Sequence, residues 1–352
     1  MKLFTVGPVE MYPETLEESS RPIPYFRTPE FSDIMLESER LLLDLANAPE
    51  GSRAIFLTAS GTGAMEATVI NCLCESDLVL TIDGGSFGHR FVQLCERHKV
   101  SQQILHLDFG ETLTRAMLDK AYREGMTALL VNLHETSVGQ LYDIDMLSAF
   151  CREHGLLFVV DAISSFLADE IDMEKSNVDV LITSSQKALA LAPGISCVVL
   201  SPRAINLAME RGTALMYFDF QDYLKNGERG QTPFTPAVGI LLTLNTRLKS
   251  IKAKGLAAVQ ADIRAQAEDF RRKISSLPVE IPSYPHSNAL TPLYFPAGNA
   301  RDIYDILYKN YDLNVTPNGG ALGDYILRVG HMGNLNTQDN DRLVAALAEI
   351  LG

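Results

Sequence analysis

The chain has 352 residues, 46% of them hydrophobic, enough for a sizeable core and, at about 150 residues per domain, for two domains. A formal net charge of −14 argues against a basic surface for nucleic acid or an anionic membrane, and leaves room only for local pockets that take small anions. The N-terminus has no signal-peptide core, no apolar run approaches the roughly 18 residues of a membrane span, and five cysteines in apolar contexts lack metal-site spacing; a cytoplasmic protein with reduced thiols and no metal is expected.

In chain order, the first fifteen residues read as extended, because Pro8 and Pro13 interrupt any helix, and RPIPYFRTPE continues irregularly to about residue 30. A helix is expected over 30–46, where Phe31, Ile34, Met35, Leu42 and Leu45 recur at helical spacing. Short apolar runs then alternate with amphipathic segments, at 54–58, 78–82, 103–107, 128–133, 156–161, 178–183 and 195–201. Strands apolar on both faces and separated by helices mark a mostly parallel α/β sheet, whose ligands sit at the C-terminal strand edge. Past Pro236 come two long helices, 237–254 and 256–276, then strands at 288–295 and 325–330 with a helix between them and a last helix over 337–351. This second texture reads as a smaller α+β unit. The expected division is an extended arm over 1–15, a large domain over 16–245 and a small one over 246–352.

Several polar residues stand where an apolar setting does not account for them. Lys187 is the only charge between Val180 and Pro202, so it is either a loop lysine reaching water or a desolvated amine able to act as nucleophile or Schiff-base former. Asp161 ends an apolar run and needs either a structural arginine or a cationic ligand atom. The stretch ASGTGAMEA at 59–67 leaves a strand and opens a helix, so its backbone N–H groups and the Ser60 and Thr62 hydroxyls can converge on an anion; the other reading is a glycine-rich turn without a ligand. HETSVG (134–139) adds a polar loop with Glu135, Thr136 and Ser137, and GGSFGHRF (84–91) sets Phe87 among glycines, where it is either ordinary packing or a stacking platform. Arg328, in LRVGHMG, either forks onto a carboxylate ligand or pairs with an acidic neighbour. An anion cup, a carboxylate for a ring nitrogen, a lysine for an aldehyde and an arginine for a substrate carboxylate together fit pyridoxal 5′-phosphate.

On these motifs (GPV at 7–9, SGTGAMEA, HETSVG, VDAISS, SSQKAL and RVGHMG) the chain resembles the class V aminotransferases of the alanine–glyoxylate or serine–pyruvate type, of α/β fold type I. The resemblance implies that Lys187 forms the internal aldimine and shuttles the proton, Asp161 keeps the pyridine nitrogen protonated and Phe87 stacks on the ring. It further implies that Ser60, Gly61, Thr62 and Gln186 hold the phosphate, with Ser185 beside them, and that Ser137 lies at the ring hydroxyl. Thr235 would reach the phosphate of a partner subunit in a homodimer with shared sites, while Arg328 clamps the substrate carboxylate and Gly7 helps close the site. The activity implied is ping-pong transfer of an amino group from alanine or serine to glyoxylate or pyruvate. The rival readings are a 2-aminoethylphosphonate–pyruvate or aspartate transaminase and, further off, a pyridoxal-phosphate β-lyase or desulfurase.

Overall fold

The computed structural model describes residues 1–352. Each strand of the central sheet sends alternate side chains to opposite faces, and both faces are covered. Phe56, Leu80, Ile82, Leu129, Val131, Phe158, Val160 and Leu181 enter one core layer. Their neighbours Ile55, Leu57, Val79, Leu130, Val159 and Ile182 enter the other. This is why the strands read as unbroken apolar runs rather than as alternating ones.

The seven strands lie in the spatial order Arg53–Leu57, Ser196–Leu200, Val180–Ser184, Leu157–Asp161, Ala128–Asn132, Leu78–Asp83, Ser101–His106. All run the same way except Ser196–Leu200, which is antiparallel to both neighbours. The reversal has a simple cause: a parallel return needs a crossover of about a dozen residues or more, usually a helix, and the loop 185–195 is too short and non-helical. The architecture is therefore the expected α/β sheet, mostly parallel and mixed, flanked by helices. No helix is long and apolar enough to cross a membrane.

The N-terminal expectation needs correction. Residues 13–19 form a helix, Pro13–Ser19, with the proline in its first turn, where the missing N–H costs no hydrogen bond. The preceding segment is extended but not free-standing: Lys2–Leu3 pairs in parallel with Leu313–Asn314, and Phe4 is buried in a third cluster with Phe270, Leu293, Leu307, Leu327 and Leu343. The arm is thus tied to the small unit, whose sheet is ordered Leu290–Tyr294, Ile326–Gly330, Thr316–Pro317. Helix Val238–Lys254 runs beyond residue 245 with Leu248 and Ile251 still in the large core layer.

Asp179 fixes the far ends of the strand that carries Asp161 and of the strand that leads to Lys187. Its carboxylate accepts from the Phe158 N–H (3.0 Å), the Ser201 hydroxyl (2.8 Å) and the Arg203 guanidinium (3.3 Å). Asp179→Ala should lower the unfolding free energy by about 2–4 kcal/mol, because it strands a buried amide and hydroxyl; urea titration of the cofactor-free protein measures it.

Candidate active site

The C-terminal strand edge gathers the polar residues that the sequence left isolated. Asp161 ends its strand directly beside Asn132, its register partner on the neighbouring strand. The Asn132 amide donates to Asp161 Oδ2 at 2.7 Å and the Ile163 N–H to Oδ1 at 2.9 Å. No lysine or arginine forms an ion pair with Asp161 anywhere in the chain, so the structural-arginine reading is excluded. Burial pushes its carboxyl up to about 6, and the two hydrogen bonds pull back against that rise.

Lys187 follows the next strand by three residues. Its Nζ donates to the carbonyl of Val6 at 2.7 Å and has no other partner in the chain. It does not reach water, since the residue is 8% exposed. Burial pushes its pKa down to about 8, Arg328 pushes the same way, and Asp161 opposes them. Gly7 lies against the lysine stem with φ +125°, and a Cβ there would sit 2.6 Å from Lys187 Cδ, so this close approach admits only glycine. The Val9 N–H donates to the Gln186 carbonyl at 3.3 Å, which lays the arm across the lysine loop.

Ser60 caps helix Gly61–Cys72 without using its side chain, and the N–H groups of Gly61 and Thr62 find no acceptor in the chain. Gly61 is packed so closely under Ile163 that a side chain would collide. Gln186 is fixed by the Ser184 hydroxyl, which donates to its Oε1 at 2.6 Å. Ser185 does not join this group: its hydroxyl donates to the Ala192 carbonyl at 2.7 Å and staples its own loop.

Phe87 is half-buried at the start of helix Gly88–Arg97, with the Arg90 guanidinium 4.9 Å from its ring centroid. Ser137 donates to Glu135 at 2.5 Å. That buried carboxylate also takes the N–H groups of Phe87 (3.3 Å), Gly88 (2.8 Å) and Ser137 (3.1 Å), capping the helix with negative charge. Arg328, on the middle strand of the small sheet, donates to the carbonyls of Thr136 (3.2 Å) and Pro317 (2.8 Å), and its Nε has no partner. It has no acidic partner, so its buried charge is uncompensated; burial pushes its pKa down to about 10, while Glu135 favours the cation from a distance. A cleft of about 650 Å³ opens beside Ser86, Ser137 and Asn318. Thr235 is exposed and belongs to none of these contacts within the one chain.

The set can do specific chemistry. A neutral amine is available near pH 8, a buried carboxylate faces it without a cation, free amides await an anion, and a guanidinium lacks its counter-charge. These orphaned groups fit an aldehyde-bearing, ring-nitrogen-bearing phosphate ester together with a carboxylate substrate. Sequence reasoning missed Asn132 and Arg90. The signal for Asn132 was a lone amide at the end of an apolar run, and Arg90 lay unremarked in GGSFGHRF.

Comparison with known proteins agrees with that chemistry. The family model described as "Aminotransferase class-V" matches residues 25–322. The chain is 30% identical over 332 residues to a protein named soluble hydrogenase, small subunit, from Synechococcus, covering 92% of this chain and 86% of the relative. It is 26% identical over 352 residues to the L-aspartate–glyoxylate aminotransferase of Paracoccus denitrificans, covering 95% and 86%. Among solved structures it superposes on alanine–glyoxylate aminotransferase from Nostoc sp. with TM-score 0.93 and 26% identity, covering 99% of this chain and 95% of the other.

In the cofactor-free protein, reductive methylation of Lys187 should be half-maximal near pH 8. Below that pH the amine is protonated and unreactive; above it, it is neutral, whereas ordinary lysines need about pH 10.4. Peptide mass spectrometry across a pH series reads this out.

Proposed function

The chain belongs to the class V aminotransferases, and from that premise we propose that it moves an amino group from alanine or serine to glyoxylate or pyruvate, with pyridoxal 5′-phosphate as resident cofactor. The observation that carries the reading is the Lys187 amine, buried, bonded only to the Val6 carbonyl, and set within the fields of Asp161 and Arg328. Bound there, pyridoxal phosphate supplies the electron sink that acidifies the α-proton of an amino acid.

The protein's part is binding, orientation and proton movement. Lys187, with a pKa near the working pH, takes the α-proton of the donor and returns it on the other side of the transfer, which is the range where a general base is most effective. Asp161, held in place by Asn132 and the Ile163 N–H, would hold a proton on the ring nitrogen. Arg328 binds the α-carboxylate, which gives its buried charge a partner. Ser60, the Gly61 and Thr62 amides and Gln186 would take the phosphate, Phe87 would stack on the ring and Ser137 would serve its hydroxyl. Donor and acceptor use one site in turn, so the kinetics are ping-pong.

A small neutral donor accords with the stretch LRVGHMG, which carries no second arginine or lysine beside Arg328. Against a desulfurase stands Cys197, buried within its strand with its thiol pushed up to about 12, which leaves it no thiolate to offer.

A homodimer with Thr235 completing the partner's phosphate site accords with the surface around it. Thr235 is exposed beside stacked Phe234 and Tyr217, and Met216, at 77% exposure, extends an apolar face that a second copy would cover. Thr235→Ala should weaken cofactor affinity without changing Lys187; unchanged affinity would remove Thr235 from the site.

The purified protein should absorb near 410–430 nm and bleach toward about 330 nm with a competent donor. A panel of alanine, serine and aspartate against glyoxylate, pyruvate and 2-oxoglutarate identifies the pair, and turnover of dicarboxylates alone would refute the small-donor reading. Arg328→Gln should raise KM for donor and acceptor by about 30-fold or more, with the absorbance band retained.

A further inference from the structure

The residues assigned to the phosphate so far carry no formal positive charge. Ser60, Gly61, Thr62 and Gln186 are neutral, and a helix N-terminus contributes only about half an elementary charge. Lys187 is committed to the aldehyde end. A phosphate dianion brought out of water calls for a cation within hydrogen-bond reach.

Arg90 stands at that point. It lies in the first turn of helix Gly88–Arg97, half-buried, and forms no ion pair with any carboxylate in the chain. Its Nη1 donates to Thr62 Oγ1 at 2.9 Å, the one protein acceptor of the guanidinium, and its plane is held over the Phe87 ring. The bond to Thr62 also directs that hydroxyl: with its oxygen accepting from Arg90, the hydroxyl proton is left to donate elsewhere, beside the free Gly61 and Thr62 amides. The charge of Arg90 is felt at both Lys187 and Asp161, so it belongs to this site and not to the outer surface.

We propose that Arg90 is the fixed cation of the phosphate cup, donating to the phosphate group of a ligand seated on the Gly61 and Thr62 amides while its contact with Phe87 couples phosphate binding to ring stacking. The assignment rests on the pyridoxal phosphate reading and adds a residue to it. Arg90 is thereby a determinant of affinity for the phosphorylated form of the ligand over the unphosphorylated one.

The test is a titration of the cofactor-free protein with pyridoxal 5′-phosphate and, separately, with pyridoxal, which keeps the ring and aldehyde and lacks the phosphate. Absorbance reports binding in both, with no turnover required. Arg90→Gln should weaken pyridoxal phosphate binding about tenfold or more and leave pyridoxal within about twofold. Arg90→Lys, which keeps the charge but not the planar fork, should recover part of the loss. Equal weakening of both ligands would mean that Arg90 acts only by packing Phe87, and that outcome overturns the proposal, as does unchanged affinity in Arg90→Gln. Failure of the unaltered protein to bind pyridoxal phosphate would instead overturn the cofactor reading on which this one rests.

Discussion

The hydrogen bond from Lys187 to the Val6 carbonyl is the contact on which the rest of the site depends. A lysine amine buried among apolar residues would ordinarily be lost to the fold through its desolvation cost, or would turn outward. Here a single carbonyl satisfies one donor and leaves the amine poised between charged and neutral. That carbonyl is available because Gly7 has no side chain and because the arm is sewn into the small unit. The Phe4 carbonyl accepts from the Gly330 N–H at 2.7 Å, and the Val6 N–H donates to Thr316 at 3.0 Å. Gly330 ends the strand that carries Arg328. The segment whose carbonyl accepts from the Lys187 amine and the strand that holds Arg328 are thus joined by the Gly330–Phe4 backbone hydrogen bond, which makes the arm a structural link between the two buried cationic side chains.

The electrostatic design follows from keeping buried charges apart. Two buried acids, Asp161 and Glu135, accept from amide and hydroxyl donors, and two buried bases, Lys187 and Arg328, donate to carbonyls, with Arg328 Nε left unpaired. None of the four neutralises another directly. Direct pairing would bring the Coulombic gain inside the protein and leave nothing for a ligand. Dipolar partners instead hold each group in place at an unrelieved cost, and a ligand carrying complementary charges relieves it. Glu135 ties the Phe87 helix start and the Ser137 loop together by accepting from both.

Much of this was legible in the sequence because the signals are local. Continuous apolar runs interrupted by helical segments define the layered sheet, and lone charges at the ends of those runs mark its C-terminal edge. The errors arose where local signals are ambiguous. Pro13 reads as a helix breaker until its place in a first turn is known, and Ser185 reads as a ligand contact until its hydroxyl is found on Ala192, seven residues away. The reversed strand Ser196–Leu200 has the same composition as its parallel neighbours, and only the short non-helical loop before it distinguishes it.

The sequence by itself determined the family and the α/β class and singled out the isolated polar groups, because motif, periodicity and isolated charge are properties of a few adjacent residues. Only the tertiary structure decided which of those groups are left without partners. Whether Lys187 reaches water, whether Asp161 meets an arginine, and whether Arg328 or Arg90 meets a carboxylate are set by contacts with segments that lie tens to hundreds of residues away, as Val6 does from Lys187. The surroundings of Lys187 brought its amine into the working range, and the uncompensated charges around it define what a ligand must bring.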